Sequence, residues 1–298
     1  MNDRYHGPVV VGVDGTEEAK RAAVYGAWEA HRRRLPLRLV FAAPPLPPLG
    51  ALAVISDNDH RWAFDQFDEV EKLVRATYPE LDIERAVPTG SPAGVLVGES
   101  DRAGLVVIGT QATGGIVGHL SGSVAAQVAS HARAPVVVVR GGRQGDPEMF
   151  RGWPVVVGVD GSPESERAVG FAVEQAIARG ADVHAVYVWN IIDVHDLGIS
   201  AEDYVRADEE AKAERLLTEA TSGWADRYPE VTIVRHAENR LDPIGALSQI
   251  AEDAGLIVVG SRGRGGFLGL RLGSTVDGLI RYAPVPVAVV RGSYDTPR

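Results

Sequence analysis

Gly260-Ser261-Arg262-Gly263, nine further residues and then Gly273-Ser274-Thr275 form a segment that leaves one apolar run and enters a helical one. Its chemistry is that of anion binding. Gly260 and Gly263 are expected to permit positive φ and to keep side chains out of a ligand's approach path. The N–H groups that open the helix after Gly273, with the Ser274 and Thr275 hydroxyls, offer a phosphate several donors and the positive end of a dipole. Arg262, Arg264 and Arg271 add fixed positive charge in the same stretch. A strand before the loop (256–259), a helix after it and arginines inside it agree on a phosphate rather than a plain turn.

The pattern occurs twice. Leu105-Val-Val-Ile-Gly109 parallels Leu256-Ile-Val-Val-Gly260, Gly122-Ser123-Val124 parallels Gly273-Ser274-Thr275, and Tyr78-Pro79-Glu80 parallels Tyr228-Pro229-Glu230. Near the start of each half, Val9-Val-Val-Gly-Val-Asp14-Gly-Thr16 parallels Val155-Val-Val-Gly-Val-Asp160-Gly-Ser162. The offset is 146 at the front (9 to 155) and 151 at the back (105 to 256), so the second copy carries a few extra residues in its middle. This is a duplicated domain rather than a short-period solenoid.

The 298 residues suit two such domains, each large enough for its own core. With 45% hydrophobic and 23% charged residues the composition is that of an ordinary globular protein. The absence of cysteine removes disulfides, thiolate metal sites and a cysteine nucleophile. Met1-Asn-Asp-Arg-Tyr-His6 lacks the basic start and apolar core of a signal peptide, and no apolar run reaches membrane-spanning length, so a cytoplasmic protein without a membrane partner is expected. A net charge of -10 argues against a nucleic-acid partner and requires any phosphate site to be built locally.

Short β-branched runs alternate with helical stretches: 9–13, 37–43, 83–87, 105–108 and 136–139 in the first half, and 155–159, 183–189, 231–234, 256–259 and 287–290 in the second. Nearly continuous apolar strands separated by helices mean a parallel sheet covered on both faces. Helix starts are marked at Thr16, Ser91, Ser162 and Asp242, each followed by proline or acid. The fold class is therefore α/β, with two tandem doubly wound (Rossmann-like) domains of five parallel strands, and ligands belong at the carboxyl ends of those strands. Asp14, Asp160 and both glycine loops fall there. Gly141 to Pro147 has linker composition, which sets domains of 1–146 and 147–298. The proline-rich stretch from Pro44 to Gly50 reads as a surface connection rather than a lid.

Other nucleotide chemistries fail on inspection. A P-loop needs lysine directly after glycine, whereas Lys20, Lys72 and Lys212 follow Ala19, Glu71 and Ala211. The dinucleotide fingerprint has too few glycines after the first strand, where Gly12-Val13-Asp14-Gly15 stands. Hydrolase, kinase and zincin signatures are missing, and the eight scattered histidines suggest no metal site.

The Gly260-x-x-Gly263-(nine residues)-Gly273-Ser274 spacing, the string from Gly260 to Gly266, the Val-Asp-Gly-Ser opening of the second half and the duplication together resemble the ATP-binding class of universal stress proteins, in a tandem two-domain form. The resemblance covers nearly the whole chain. It implies strand order 3-2-1-4-5, paired domains or a homo-oligomer, an adenine nucleotide as ligand with Mg²⁺ arriving only on the ATP phosphates, and a regulatory protein partner of unknown identity. By the same resemblance Asp160, beside Gly158, would contact the adenosine, Val188 would pack on the adenine, and Gly260, Ser261, Arg262, Gly263, Arg264, Gly273, Ser274 and Thr275 would line the ribose and phosphates.

In the first half the corresponding positions are Gly12, Asp14, Ala42, Gly109, Thr110, Ala112, Gly115, His119, Gly122, Ser123 and Val124. This copy departs from the pattern: Ala112 replaces the second glycine, Val124 replaces a hydroxyl donor, and 109–124 contains no Lys or Arg, only His119. The expected protein is a nucleotide-dependent regulator of stress response, dormancy or growth without strong catalysis, with no catalytic residues assigned. A slow ATPase or autophosphorylating enzyme, and an interaction module that has lost nucleotide, are the alternatives.

Overall fold

The computed structural model describes residues 7–44, 57–110, 123–140, 151–190, 202–263 and 272–291. The chain divides into two compact units, Met1–Met149 and Phe150–Arg298, just beyond the boundary expected from the linker composition.

In the first unit the strands are β1 (Val9–Gly12), β2 (Leu37–Val40), β3 (Ile83–Ala86), β4 (Leu105–Thr110) and β5 (Val136–Arg140), with helices α1 (Glu17–Arg33), α2 (Asp57–Thr77), α3 (Pro92–Glu99) and α4 (Ser123–His131) between them. Every pairing is parallel and the order is β3-β2-β1-β4-β5. The second unit repeats this with β6 (Val155–Gly158), α5 (Pro163–Arg179), β7 (Val183–Trp189), α6 (Glu202–Arg227), β8 (Ile233–Asn239), α7 (Pro243–Ile250), β9 (Leu256–Gly260), α8 (Ser274–Tyr282) and β10 (Val287–Val290), in the order β8-β7-β6-β9-β10. The central strands run side by side because they are apolar on both faces: Val9, Val10, Val11, Val155, Val156 and Val157 are fully buried. Helices α1 and α2 pack together, as do α3 and α4, and the second unit repeats both pairs, which covers each sheet on two sides.

The caps form where the sequence places them. Thr16, Ser91, Ser162 and Asp242 each accept a bond from a first-turn backbone N–H, which satisfies a donor the helix leaves open. At the other end, α1 and α5 both close on a left-handed residue, Arg34 (φ 56°) in the first unit and Gly180 (φ 60°) in the second.

Two strands differ clearly from their sequence reading; β2 ends at Val40 rather than running to residue 43, and β8 is shifted. An apolar run suggests 231–234, but β8 spans Ile233–Asn239 and pairs with β7 over seven registered positions. It is the outermost strand of its unit, so Arg235, His236 and Glu238 keep a route to water and the alternation is hidden in polar residues. Val231 is buried ahead of the strand instead of in it. Among the described residues no helix is long and apolar enough to cross a membrane.

Candidate nucleotide site

The end of β6 turns sharply into α5. Asp160 Oδ1 accepts bonds from the Ser162 backbone N–H (2.9 Å) and hydroxyl (2.6 Å), and Ser162 Oγ accepts from Ser165 N (3.1 Å). Asp160 N donates to Ser165 Oγ (3.3 Å). This Asx turn needs a left-handed residue at its centre, which is Gly161 with φ 72°. The first unit builds the same device: Asp14 Oδ1 accepts from Thr16 N (3.0 Å) and Oγ1 (2.6 Å), and Gly15 has φ 80°.

Facing this turn is the end of β9. Neither Gly260 nor Gly263 has positive φ, so the expectation that they serve as left-handed hinges is corrected; that role belongs to Gly15 and Gly161. What Gly260 provides is space for the helix: a Cβ there would lie 2.8 Å from the Glu164 carbonyl carbon, and at Gly109 it would overlap the Glu18 carbonyl. At Gly263 a Cβ would overlap Asp160 Oδ2. Ser261 is buried; its N–H donates to Val290 O (3.1 Å) and its carbonyl accepts from Gly273 N (3.1 Å), which ties β9 to the start of α8. Gly273 caps α8 without a side chain, so the first-turn N–H groups of that helix have no side-chain acceptor from the cap.

These elements enclose a cavity of about 390 Å³ at the carboxyl ends of the strands. It is lined by Gly158, Asp160, Val188, Gly260, Arg262, Gly263, Gly273, Ser274 and Thr275, which the sequence brings together, and also by Val159, Ser165, Val186, Tyr187, Pro243, Leu247 and Val276, which it did not single out. Val186 was within reach of sequence reasoning, since it shares a strand face with Val188 two residues on. Pro243 and Leu247 come from α7, whose start was marked but whose position over the site was not. Val186, Val188, Pro243 and Leu247 supply apolar surface, while Arg262 and the α8 amino terminus supply positive character. Ser261 does not line the cavity. Among the described residues no group of three or more histidines and carboxylates is placed to hold a metal ion.

In the first unit Gly12 and Asp14 stand at the end of β1, Ala42 follows β2, and Gly109 and Thr110 end β4, the last buried. Ser123 opens α4 and Val124 follows it. Ala112, Gly115, His119 and Gly122, and in the second unit Arg264 and Arg271, lie outside the described residues.

A family model described as the universal stress protein family matches residues 6–140 and 154–291. The chain belongs to the universal stress protein family. It is similar to a universal stress protein of Mycobacterium tuberculosis strain H37Rv, 36% identical over 300 residues that cover 96% of each chain. A universal stress protein of Mycolicibacterium smegmatis is 34% identical over 290 residues, covering 95% of this chain and 96% of its own. The crystal structure of a universal stress protein from Archaeoglobus fulgidus shares the fold at a TM-score of 0.59 and 20% identity, covering 96% of both chains. The two matched segments fall one in each unit, so this universal stress protein is a tandem member with a full domain in each half.

Proposed function

We propose that the cavity of the second unit binds ATP and that the protein is a nucleotide-dependent regulator of stress response, dormancy or growth rather than a catalyst. The observation that carries this reading is the convergence of Asp160, Val188, Arg262, Gly263 and the Gly273-Ser274-Thr275 helix start on one cavity. An adenine ring would lie against the apolar side made by Val186, Val188 and Leu247, and Asp160 would contact the sugar. Phosphates suit the α8 amino terminus, where N–H donors and the helix dipole favour negative charge. Arg262 would add a charge-assisted contact, and Mg²⁺ would be held through the phosphates. The bound nucleotide would supply charge and shape, and the chain's own residues would position it.

The regulatory reading, a cytoplasmic location, self-association and an unidentified protein partner are parts of the same proposal. The amino-terminal copy is the weaker site, because its loop sequence has no Lys or Arg between Gly109 and Val124. Calorimetric titration with ATP and GTP tests the assignment. Binding of ATP at least about tenfold tighter than GTP, a difference of about 1.4 kcal/mol, is expected; equal affinity removes the adenine assignment. Turnover below about 0.1 per second is expected, against about 10 per second for a median enzyme.

A further inference from the structure

The outer strands of the second unit bring together two histidines that are far apart in the sequence. Val186 of β7 is the registered partner of His236 of β8, and His184 lies two residues before Val186. Side chains along a strand return to the same face every second residue, and registered partners of a parallel pair share a face, so both imidazoles project from one side of the sheet. Their ring centroids are 5.0 Å apart, and both residues are half-buried. His236 Nε2 is shielded from solvent and has no hydrogen-bond partner among the described residues. A buried ring nitrogen in that condition has lost its hydration with nothing in return, and it calls for a water or an ion.

The first unit has no such pair. Its β2–β3 ladder matches the β7–β8 ladder, which makes Arg38 the equivalent of His184, Glu84 that of Val234 and Ala86 that of His236. Arg38 pairs there with Glu84 of β3 (3.0 Å) and with Glu99 of α3 (2.9 Å). Pro92 and Pro243 open α3 and α7, so Ile250 takes the place of Glu99. The second unit has thus exchanged a guanidinium and its two carboxylates for two imidazoles, a valine and an isoleucine. Burial first, and then His236, disfavour protonation of His184, which keeps a lone pair available, while the Asp182 carboxylate attracts positive charge to it.

We propose that His184 and His236 form a two-histidine site for a zinc ion, with water in the remaining positions. Zinc bonds an imidazole nitrogen at about 2.0–2.1 Å, which puts it about 3.2 Å from the ring centroid, so centroids 5.0 Å apart subtend about 100° at a shared ion, close to the tetrahedral angle. Imidazole suits zinc, nickel and copper, whereas magnesium and calcium take oxygen ligands. Among the described residues no third histidine or carboxylate joins the pair, so binding rests on both rings. Neither histidine lines the nucleotide cavity. The scattered histidines of the sequence hide the pair because it exists only through the β7–β8 register.

Zinc chloride is the probe, titrated by calorimetry at neutral pH into the full chain after removal of metal, with magnesium chloride as the comparison. Saturable zinc binding is expected, and His184→Gln or His236→Gln weakens it by at least about tenfold. His131→Gln, which alters an exposed histidine on a helix of the first unit, leaves it unchanged. Saturating zinc raises the unfolding temperature of the parent and not that of the double variant, because only the parent's folded state holds the ion. Thermal unfolding without metal shows that each variant is folded. No saturable zinc binding, equally tight magnesium binding, or unchanged zinc affinity and stoichiometry in a folded variant lacking both histidines overturns the proposal.

Discussion

The Gly263 backbone lies against the Asp160 carboxylate, so closely that a Cβ on Gly263 would overlap Oδ2. The ends of β6 and β9 are thereby fitted to one another across the cavity. Gly263→Ala is expected to turn the carboxylate away from its two Ser162 bonds and to lower ATP affinity by about tenfold or more, the worth of one charged hydrogen bond. Titration of the full chain checks it; unchanged affinity would show that Asp160 takes no part in binding.

Gly260 and Gly109 serve packing instead. Gly260→Ala or Gly109→Ala pushes a methyl into the first turn of α5 or α1, where the neighbours are backbone atoms that cannot rotate away. Each is expected to cost about 1–3 kcal/mol of stability in urea unfolding. Gly273→Ala, whose Cβ would meet nothing nearer than 3.8 Å, should stay within about 0.5 kcal/mol of the parent.

Arg34 closes α1 at φ 56°, a conformation that costs a side-chain-bearing residue about 1–2 kcal/mol. The second unit has Gly180 at the equivalent place. Arg34→Gly is expected to stabilise the protein by about 0.5–1 kcal/mol after the added freedom of the unfolded glycine is deducted. A lower urea midpoint for the variant would contradict this.

His184 of β7 faces His236 of β8, with ring centroids 5.0 Å apart. Burial first, and then the neighbouring His236, hold the His184 imidazole below its ordinary value of 6.5, with Asp182 opposing them. The unfolded chain therefore takes up this proton before the folded one. Its contribution is full above pH 6.5 and is lost as pH falls below that value. Urea midpoints measured at pH 7.5 and 5.5 should show a decline that His184→Gln reduces.

Ser162 both caps α5 and holds Asp160. Ser162→Ala is expected to cost about 1 kcal/mol of stability and also to weaken ATP binding. A stability loss with no change in affinity would separate the two roles.

The sequence made most of this architecture legible because the periodicity is unambiguous where both strand faces are buried, as at Val155 to Val157. It also named the residues of the second cavity that carry charge or lack side chains. It misread why Gly260 is a glycine, since the contact with Glu164 joins segments nearly a hundred positions apart. It passed over Val186 and Leu247 because apolar residues that line a cavity look like those that fill a core. The edge strand β8 was misplaced because half-exposed strands need no apolar run.

The polar makeup of β8 has a consequence for crowded conditions. An outermost strand is a template on which a stray chain can add by hydrogen bonding, and a long apolar one is an aggregation hazard. Seven paired residues make β8 long, yet a newcomer would have to cover Arg235, His236 and Glu238 without offering them partners. Such a strand is a poor seed for fibrils or for adhesion to partly unfolded neighbours.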